Sequence, residues 1–291
     1  MVILTESINP NTVDIDLLST RELVQKINEE DKKVAFAIEK ELDAIAEAID
    51  LIVTQFQQWG RLMYFWAGSS WRLGVLDASE CPPTFSVESS LVQGFIAWGD
   101  SAIRKTKAWA EDSYEFGQQD AENLCEKDVA VLISASWNPK YLRGVLEKAR
   151  EKKAKVIGLT CNPQGYFCDK VDILICPQVG AEVIAWSSRM KAWTAQKMVL
   201  EMLTTGAMIK RGKTYHNLMV DLNVSNEKLK KRAISLIVRM AEVSETEAET
   251  ALENCHGKVK IAIVSLMKNL SPEESESLLA QNQGILRKVI G

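Results

Sequence analysis

The sequence predicts an α/β protein: a parallel sheet between two layers of helices, an α/β/α sandwich, with helical segments before and after it. Three observations carry this expectation. Short apolar runs at 62–65, 95–97, 129–135, 156–159 and 171–175 lack clean polar alternation, the pattern of strands buried on both faces. Helical stretches separate them, as crossover connections between parallel strands require. The last seventy residues carry helix-start signals and no strand signal.

In chain order, Ser19 followed by Glu22 has the capping-box spacing and places a helix start at Thr20. Ile38, Leu42, Ile45, Ile49, Ile52 and Phe56 then recur at three- and four-residue steps, which predicts one long helix with Glu39, Glu41, Asp43 and Glu47 facing out. That stripe suits either this chain's own core or a second subunit. Residues 141–153 read as an intervening helix with Leu142, Val145, Leu146 and Ala149 on one side, and 188–210 as a long one. Ser244 with Glu247, and Ser271-Pro272 with Glu274, start helices that close the chain, giving three short ones in all. The expected division is an N-terminal helical segment over 1–53, a sheet domain over 54–214 and a C-terminal helical subdomain over 215–291.

Composition narrows the function. The 291 residues are 46% apolar and 25% charged, ordinary for a globular chain able to bury a sizeable core. A net charge of -4, with Glu245, Glu247, Glu249, Glu253, Glu273 and Glu274 on the terminal helices, argues against nucleic-acid binding. No apolar run is long enough for a membrane span and no signal-peptide pattern opens the chain, so a cytoplasmic protein without a membrane partner is expected. Six cysteines at irregular spacing, without C-x-x-C and with only two histidines, make a poor ligand set; no metal is expected, and the thiols read as buried and reduced.

Two of the predicted strands lead into small hydroxyl-bearing loops, Ala67-Gly68-Ser69-Ser70 and Ser134-Ala135-Ser136. Beyond the carboxyl ends of parallel strands, loop amides and serine hydroxyls can ring a phosphate. Neither loop matches a nucleotide-binding fingerprint. Two carboxylates also stand out. Glu80 precedes Cys81-Pro82-Pro83, where the prolines suggest a stiffened loop, and Glu111 precedes Asp112-Ser113. Such a pair can serve as acid and base when burial separates their pKa values, although most carboxylates simply face water.

These stretches together resemble the muramic acid phosphate etherases, a family built on a sugar isomerase domain and related to the animal glucokinase regulatory protein. The likeness covers nearly the whole chain. Its most specific pieces are the run from Arg72 through Leu73-Gly74-Val75-Leu76-Asp77-Ala78-Ser79-Glu80-Cys81-Pro82-Pro83 to Thr84, then Gly180-Ala181-Glu182-Val183-Ile184, Ser187-Ser188-Arg189-Met190-Lys191-Ala192 and Asn217-Leu218-Met219-Val220-Asp221. The resemblance implies cleavage of the D-lactyl ether of N-acetylmuramic acid 6-phosphate in peptidoglycan recycling. It implies Glu80 at the ether oxygen and Glu111 at the C2 proton, with Ser69, Ser70 and Ser136 at the phosphate and Glu182, Ser188 and Lys191 near the sugar. It implies a homodimer and no cofactor. A sugar-phosphate-sensing regulator that binds a kinase is the alternative, disfavoured because the animal regulator carries two such domains and this chain has room for one. A sugar phosphate isomerase ranks third, since it would share the fold and phosphate site but not the Glu80-Cys81-Pro82-Pro83 run.

In one respect the sequence departs from that family. Trp59, Trp66, Trp71, Trp98, Trp109, Trp137, Trp186 and Trp193 each fall where the family pattern carries glycine. Glycine supplies positive φ and close backbone approach, which an indole opposes. Our hypothesis is that these are UGA codons rendered as tryptophan but read as glycine in the source organism. UGG at these positions in the coding DNA would end it. With tryptophan at all eight, full catalysis is not expected.

Overall fold

The computed structural model describes residues 4–66, 72–97, 111–136, 138–222, 224 and 226–291. Contacts divide the chain into two units, Met1–Ser79 with Ser89–Thr204, and Glu80–Glu88 with Thr205–Gly291.

The first unit holds five parallel strands, β1 (Leu62–Trp66), β2 (Val92–Ile96), β3 (Val129–Ser134), β4 (Lys155–Thr160) and β5 (Ile173–Ile175), in the order β2-β1-β3-β4-β5. Every residue of β1 and β3 is buried, which explains their unbroken apolar sequence. Before the sheet come α1 (Thr20–Asp31), α2 (Lys33–Glu39) and α3 (Leu42–Gln57). The Ser19–Glu22 capping box forms as predicted. One sheet face packs on α5 (Tyr114–Asp120) and α6 (Lys140–Glu151), where Met63, Phe65, Ala130, Leu132 and Val156 meet Tyr141, Leu142, Val145 and Ala149. On the other face Tyr64 reaches α4 (Arg72–Phe85), and that helix is tied in turn to α7 (Lys191–Lys210), which begins three residues later than predicted.

Three expectations are corrected. The stripe from Ile38 to Phe56 lies on two helices, broken at Lys40 and Glu41. The Glu41 carboxylate accepts the Cys176 backbone N–H at 2.8 Å, a tertiary bond that a continuous helix pattern does not anticipate. Ile38, Ile45, Ile52 and Phe56 are buried within this chain, whereas Leu42 is half exposed. Glu80 sits on a helix, not in a loop: α4 runs through Pro82 and Pro83. Gly74, Asp77, Ala78, Cys81 and Phe85 form its buried face, and burial at a 3.6-residue period outweighs the hydrogen bonds the prolines forgo. Among the cysteines Cys125 is exposed, so the buried-thiol reading does not extend to it.

In the second unit a two-residue hairpin, β6 (Thr214–Tyr215) with β7 (Leu218–Met219), precedes α8 (Glu227–Ala241), α9 (Glu245–Asn254), α10 (Val259–Lys268), α11 (Pro272–Gln281) and α12 (Leu286–Ile290). These are more helices than the three predicted, because α8, α10 and α12 lack the serine-glutamate start signal. Both predicted capping boxes form, on α9 and α11. Val220, Ile237, Leu252, Ala262, Ile263 and Leu286 fill this unit's own core.

Candidate active site

Strand order reverses direction between β1 and β3: the chain leaves β1 for β2 on one side and returns to β3 on the other. In open α/β sheets ligands bind beyond the carboxyl ends of strands at such a switch point. Trp66 and Ile133 are register partners, so the carboxyl ends of β1 and β3 lie side by side. The two hydroxyl loops singled out in the sequence follow these strand ends in the chain. Ser69 and Ser70 lie outside the described residues.

Ser136 is buried, 3% exposed. Its carbonyl accepts from Asn162 Nδ2 at 2.9 Å, and its hydroxyl oxygen accepts from Thr5 Oγ1 at 2.8 Å. Asn162 follows β4 and is itself fixed, its Oδ1 accepting from Gln164 N at 3.1 Å. The loop after β3 is therefore held by residues far from it in sequence. Thr5 and Asn162 were not anticipated as site residues; Asn162-Pro163 carried a turn signal, and Thr5 only its place in Leu4-Thr5-Glu6-Ser7, where the family likeness begins.

Glu111 is half-buried, just before α5, whose first turn Ser113 caps. Burial, and then the neighbouring Asp112, raises its carboxyl above the usual range. Glu80 is exposed on α4 and belongs to the second unit, Glu111 to the first.

The 182–191 segment holds its predicted residues through internal bonds. The two carboxylate oxygens of Glu182 accept the backbone N–H groups of Lys191 at 3.0 Å and Ala192 at 2.9 Å, closing the amino end of α7. Burial raises the Glu182 pKa against those two bonds. Lys191 Nζ lies 2.7 Å from Glu30 Oε2, with both side chains almost fully buried. Burial works against the Glu30 anion, but donors from Lys191, Lys33, Asn9 and Asn11 hold its carboxyl down at about 2. Ser188 is half-buried and its carbonyl accepts from Trp193 N at 3.2 Å. A cavity of about 520 Å³ in the second unit, lined in part by Asp221, His256, Lys258 and Lys260, includes none of the predicted site residues.

Four of the eight tryptophans (Trp71, Trp98, Trp109 and Trp137) lie outside the described residues. Trp59 has φ +66° and Trp186 φ +65°, the left-handed region. At the end of α3, Gly60 N bonds to Gln55 O at 2.9 Å and Trp59 N to Phe56 O at 3.3 Å. This is the paired helix-end motif whose left-handed position glycine usually fills, and Trp59 occupies it. Both indoles point into solvent, Trp59 at 92% exposure and Trp186 at 76%. Trp193 is half-buried on α7. Trp66 is fully buried, and its indole N–H has no hydrogen-bond partner among the described residues. Its ring lies against Gly74, where an added Cβ would come within 1.9 Å of it.

The parallel sheet and its switch point define an open α/β domain that binds ligands at the strand ends, and the sugar isomerase (SIS) domain pattern, which matches residues 102–206, assigns it to that class. Patterns of the glucokinase regulatory protein match as well, its N-terminal SIS domain over residues 44–150 and its C-terminal lid domain over 216–256. Proteins named N-acetylmuramic acid 6-phosphate etherase align end to end. The one from Caldanaerobacter subterraneus subsp. tengcongensis is 49% identical over 99% of this chain and 95% of its own length. That of Photobacterium profundum is 47% identical over 99% and 96%. That of Glaesserella parasuis is 49% identical over 97% and 93%. The chain belongs to the N-acetylmuramic acid 6-phosphate etherase family. Among solved structures, a phosphoheptose isomerase from Francisella tularensis superposes with a TM-score of 0.49 at 18% identity, covering 66% of this chain and 100% of that one.

Proposed function

We infer that the chain cleaves the D-lactyl ether of N-acetylmuramic acid 6-phosphate, giving N-acetylglucosamine 6-phosphate and D-lactate. The observation that carries this is identity of 43–49% to etherases across nearly the full chain. In our reading the sugar reacts as its open-chain aldehyde. The C2 proton, acidified by the carbonyl, passes to Glu111. Lactate leaves from C3 as Glu80 protonates the ether oxygen. Water then adds at C3 with Glu80 as base, and C2 regains a proton. The raised Glu111 pKa supports its role, since a stronger base abstracts a carbon-bound proton more readily. Ser69, Ser70 and Ser136 hold the 6-phosphate at the switch point, which the buried, oriented Ser136 supports. Glu182, Ser188 and Lys191 shape the sugar site from behind, and the internal bonds of Glu182 and Lys191 support a framework role there.

The test is D-lactate release from N-acetylmuramic acid 6-phosphate, in the chain as written and with glycine at the eight tryptophan positions. Glu80→Gln and Glu111→Gln should each lower turnover by about 10²-fold or more. Undiminished turnover in either variant would remove the mechanism. A kinase-binding regulator would bind the sugar phosphate and release no lactate.

The domain division at 53 and 214, a homodimer and a cytoplasmic setting in peptidoglycan recycling complete the proposal. Exposed Leu17, Phe36 and Leu42 on the N-terminal helical segment support self-association. No helix among the described residues is long and apolar enough to cross a membrane. Sedimentation at micromolar concentration checks the dimer, and a monomer there would reject it.

A further inference from the structure

We propose that Thr5 is a positioning residue for the phosphate contact made by Ser136, and that the N-terminal arm is therefore part of the substrate site. The inference rests on the reading that Ser136 binds the 6-phosphate. Thr5 and Ser136 are 131 residues apart in sequence, yet their hydroxyl oxygens lie 2.8 Å apart, with Thr5 1% and Ser136 3% exposed. A serine hydroxyl has one proton and two acceptor positions. A phosphate oxygen only accepts, so Ser136 must spend its proton on the anion. Its remaining neighbour must then donate to it, and Thr5 is placed to do so. A hydroxyl that accepts one bond is also a better donor of the next, because successive hydrogen bonds polarise one another.

The arm carrying Thr5 is fastened independently of that contact. Thr12 Oγ1 donates to Val183 O at 2.8 Å, and Asn9 Nδ2 reaches Glu30 Oε2 at 2.9 Å and Ala181 O at 3.2 Å. Glu30 in turn holds Lys191 at 2.7 Å. With those anchors in place, the Thr5 hydroxyl is not needed to keep the arm docked. Its remaining consequence is the orientation of Ser136.

The experiment uses the full-length chain with glycine at the eight tryptophan positions and three variants, Thr5→Val, Thr5→Ser and Ser136→Ala. Calorimetry compares N-acetylglucosamine 6-phosphate with the unphosphorylated sugar, and D-lactate release gives KM and kcat. Thr5→Val, which keeps shape and removes the hydroxyl, should weaken binding of the phosphorylated sugar and raise KM about tenfold, the scale of one charge-assisted hydrogen bond. kcat should change less than twofold, and Thr5→Ser should restore binding. In the Ser136→Ala background Thr5→Val should add nothing, since the two hydroxyls act as one unit. If Ser136→Ala weakens phosphate binding while Thr5→Val does not, the role of Thr5 is overturned and the phosphate reading stands. If Ser136→Ala itself leaves binding intact, the phosphate reading falls and the positioning role with it. A Thr5→Val loss that Thr5→Ser fails to rescue, or that persists undiminished without the Ser136 hydroxyl, is merely structural and also overturns the proposal.

Discussion

Trp59 illustrates how a single residue can sit in a place built for another. The helix-end bonds around it require a left-handed backbone, and a side chain with a Cβ in that conformation costs about 1–2 kcal/mol. Its ring lies in solvent and returns almost no packing. Trp59→Gly is therefore expected to stabilise the chain by about 1 kcal/mol, read as a higher urea midpoint with unchanged slope. No change, or a loss, would show that the indole contributes more than its exposure implies. Trp66 differs: it is fully buried and packed against Gly74, so restoring glycine there opens a cavity unless neighbours close over it. Both positions fit the hypothesis of a reassigned codon, since a glycine-shaped backbone persists at Trp59 and Trp186 under the wrong side chain.

At the scale of elements, α4 and the terminal helices show local signals succeeding and failing. Ser244 and Ser271 each accept the backbone N–H three residues on, and Glu247 and Glu274 return the bond. Ser244→Ala and Ser271→Ala should each cost about 1 kcal/mol of stability, measurable by chemical denaturation. Values near zero for both would mean that packing alone sets those helix ends. These caps were legible because the two members of each box lie three residues apart. The conformation around Glu80 was not. Two consecutive prolines argue locally for a loop, and the helix persists because Asp77, Ala78, Cys81 and Phe85 turn one face inward. Asp77 is the polar member of that face, accepting from Tyr64 at 2.7 Å and Thr204 at 2.8 Å, and burial pushes its carboxyl up to about 6.

Over the whole molecule, two buried carboxyls give stability opposite pH dependences. Asp77 has a folded pKa of about 6, above its ordinary 3.8, so its contribution is full below 3.8 and is lost as pH rises through 6. Glu30 is depressed to about 2 from 4.5, so its contribution is present above 4.5 and is lost as pH falls towards 2. Urea unfolding across pH 3 to 8 should thus show that Asp77→Asn flattens the fall between about 4 and 6, and that Glu30→Gln flattens the acid limb below about 4.5. Parallel curves for variant and parent would mean the shifts are absent. Lys191→Met removes one of the two ammonium partners of Glu30 and leaves Lys33, so a loss of about 2–3 kcal/mol is expected in the same assay. A loss below about 1 kcal/mol would mean water reaches the pair.

The sequence by itself determined the sheet, its helices and the family, because unbroken apolar runs, caps and a motif spanning residues 72–84 are properties of neighbouring residues. It also marked Glu80, Glu111 and the loop of Ser136 as places where chemistry is expected. Only the tertiary structure decided that β1 and β3 lie side by side at the switch point, that Thr5 meets Ser136 and that Glu30 meets Lys191. The physical reason is range. A strand or a cap is stabilised within a few residues, whereas the last two contacts join positions 131 and 161 residues apart and exist only once the whole core has closed.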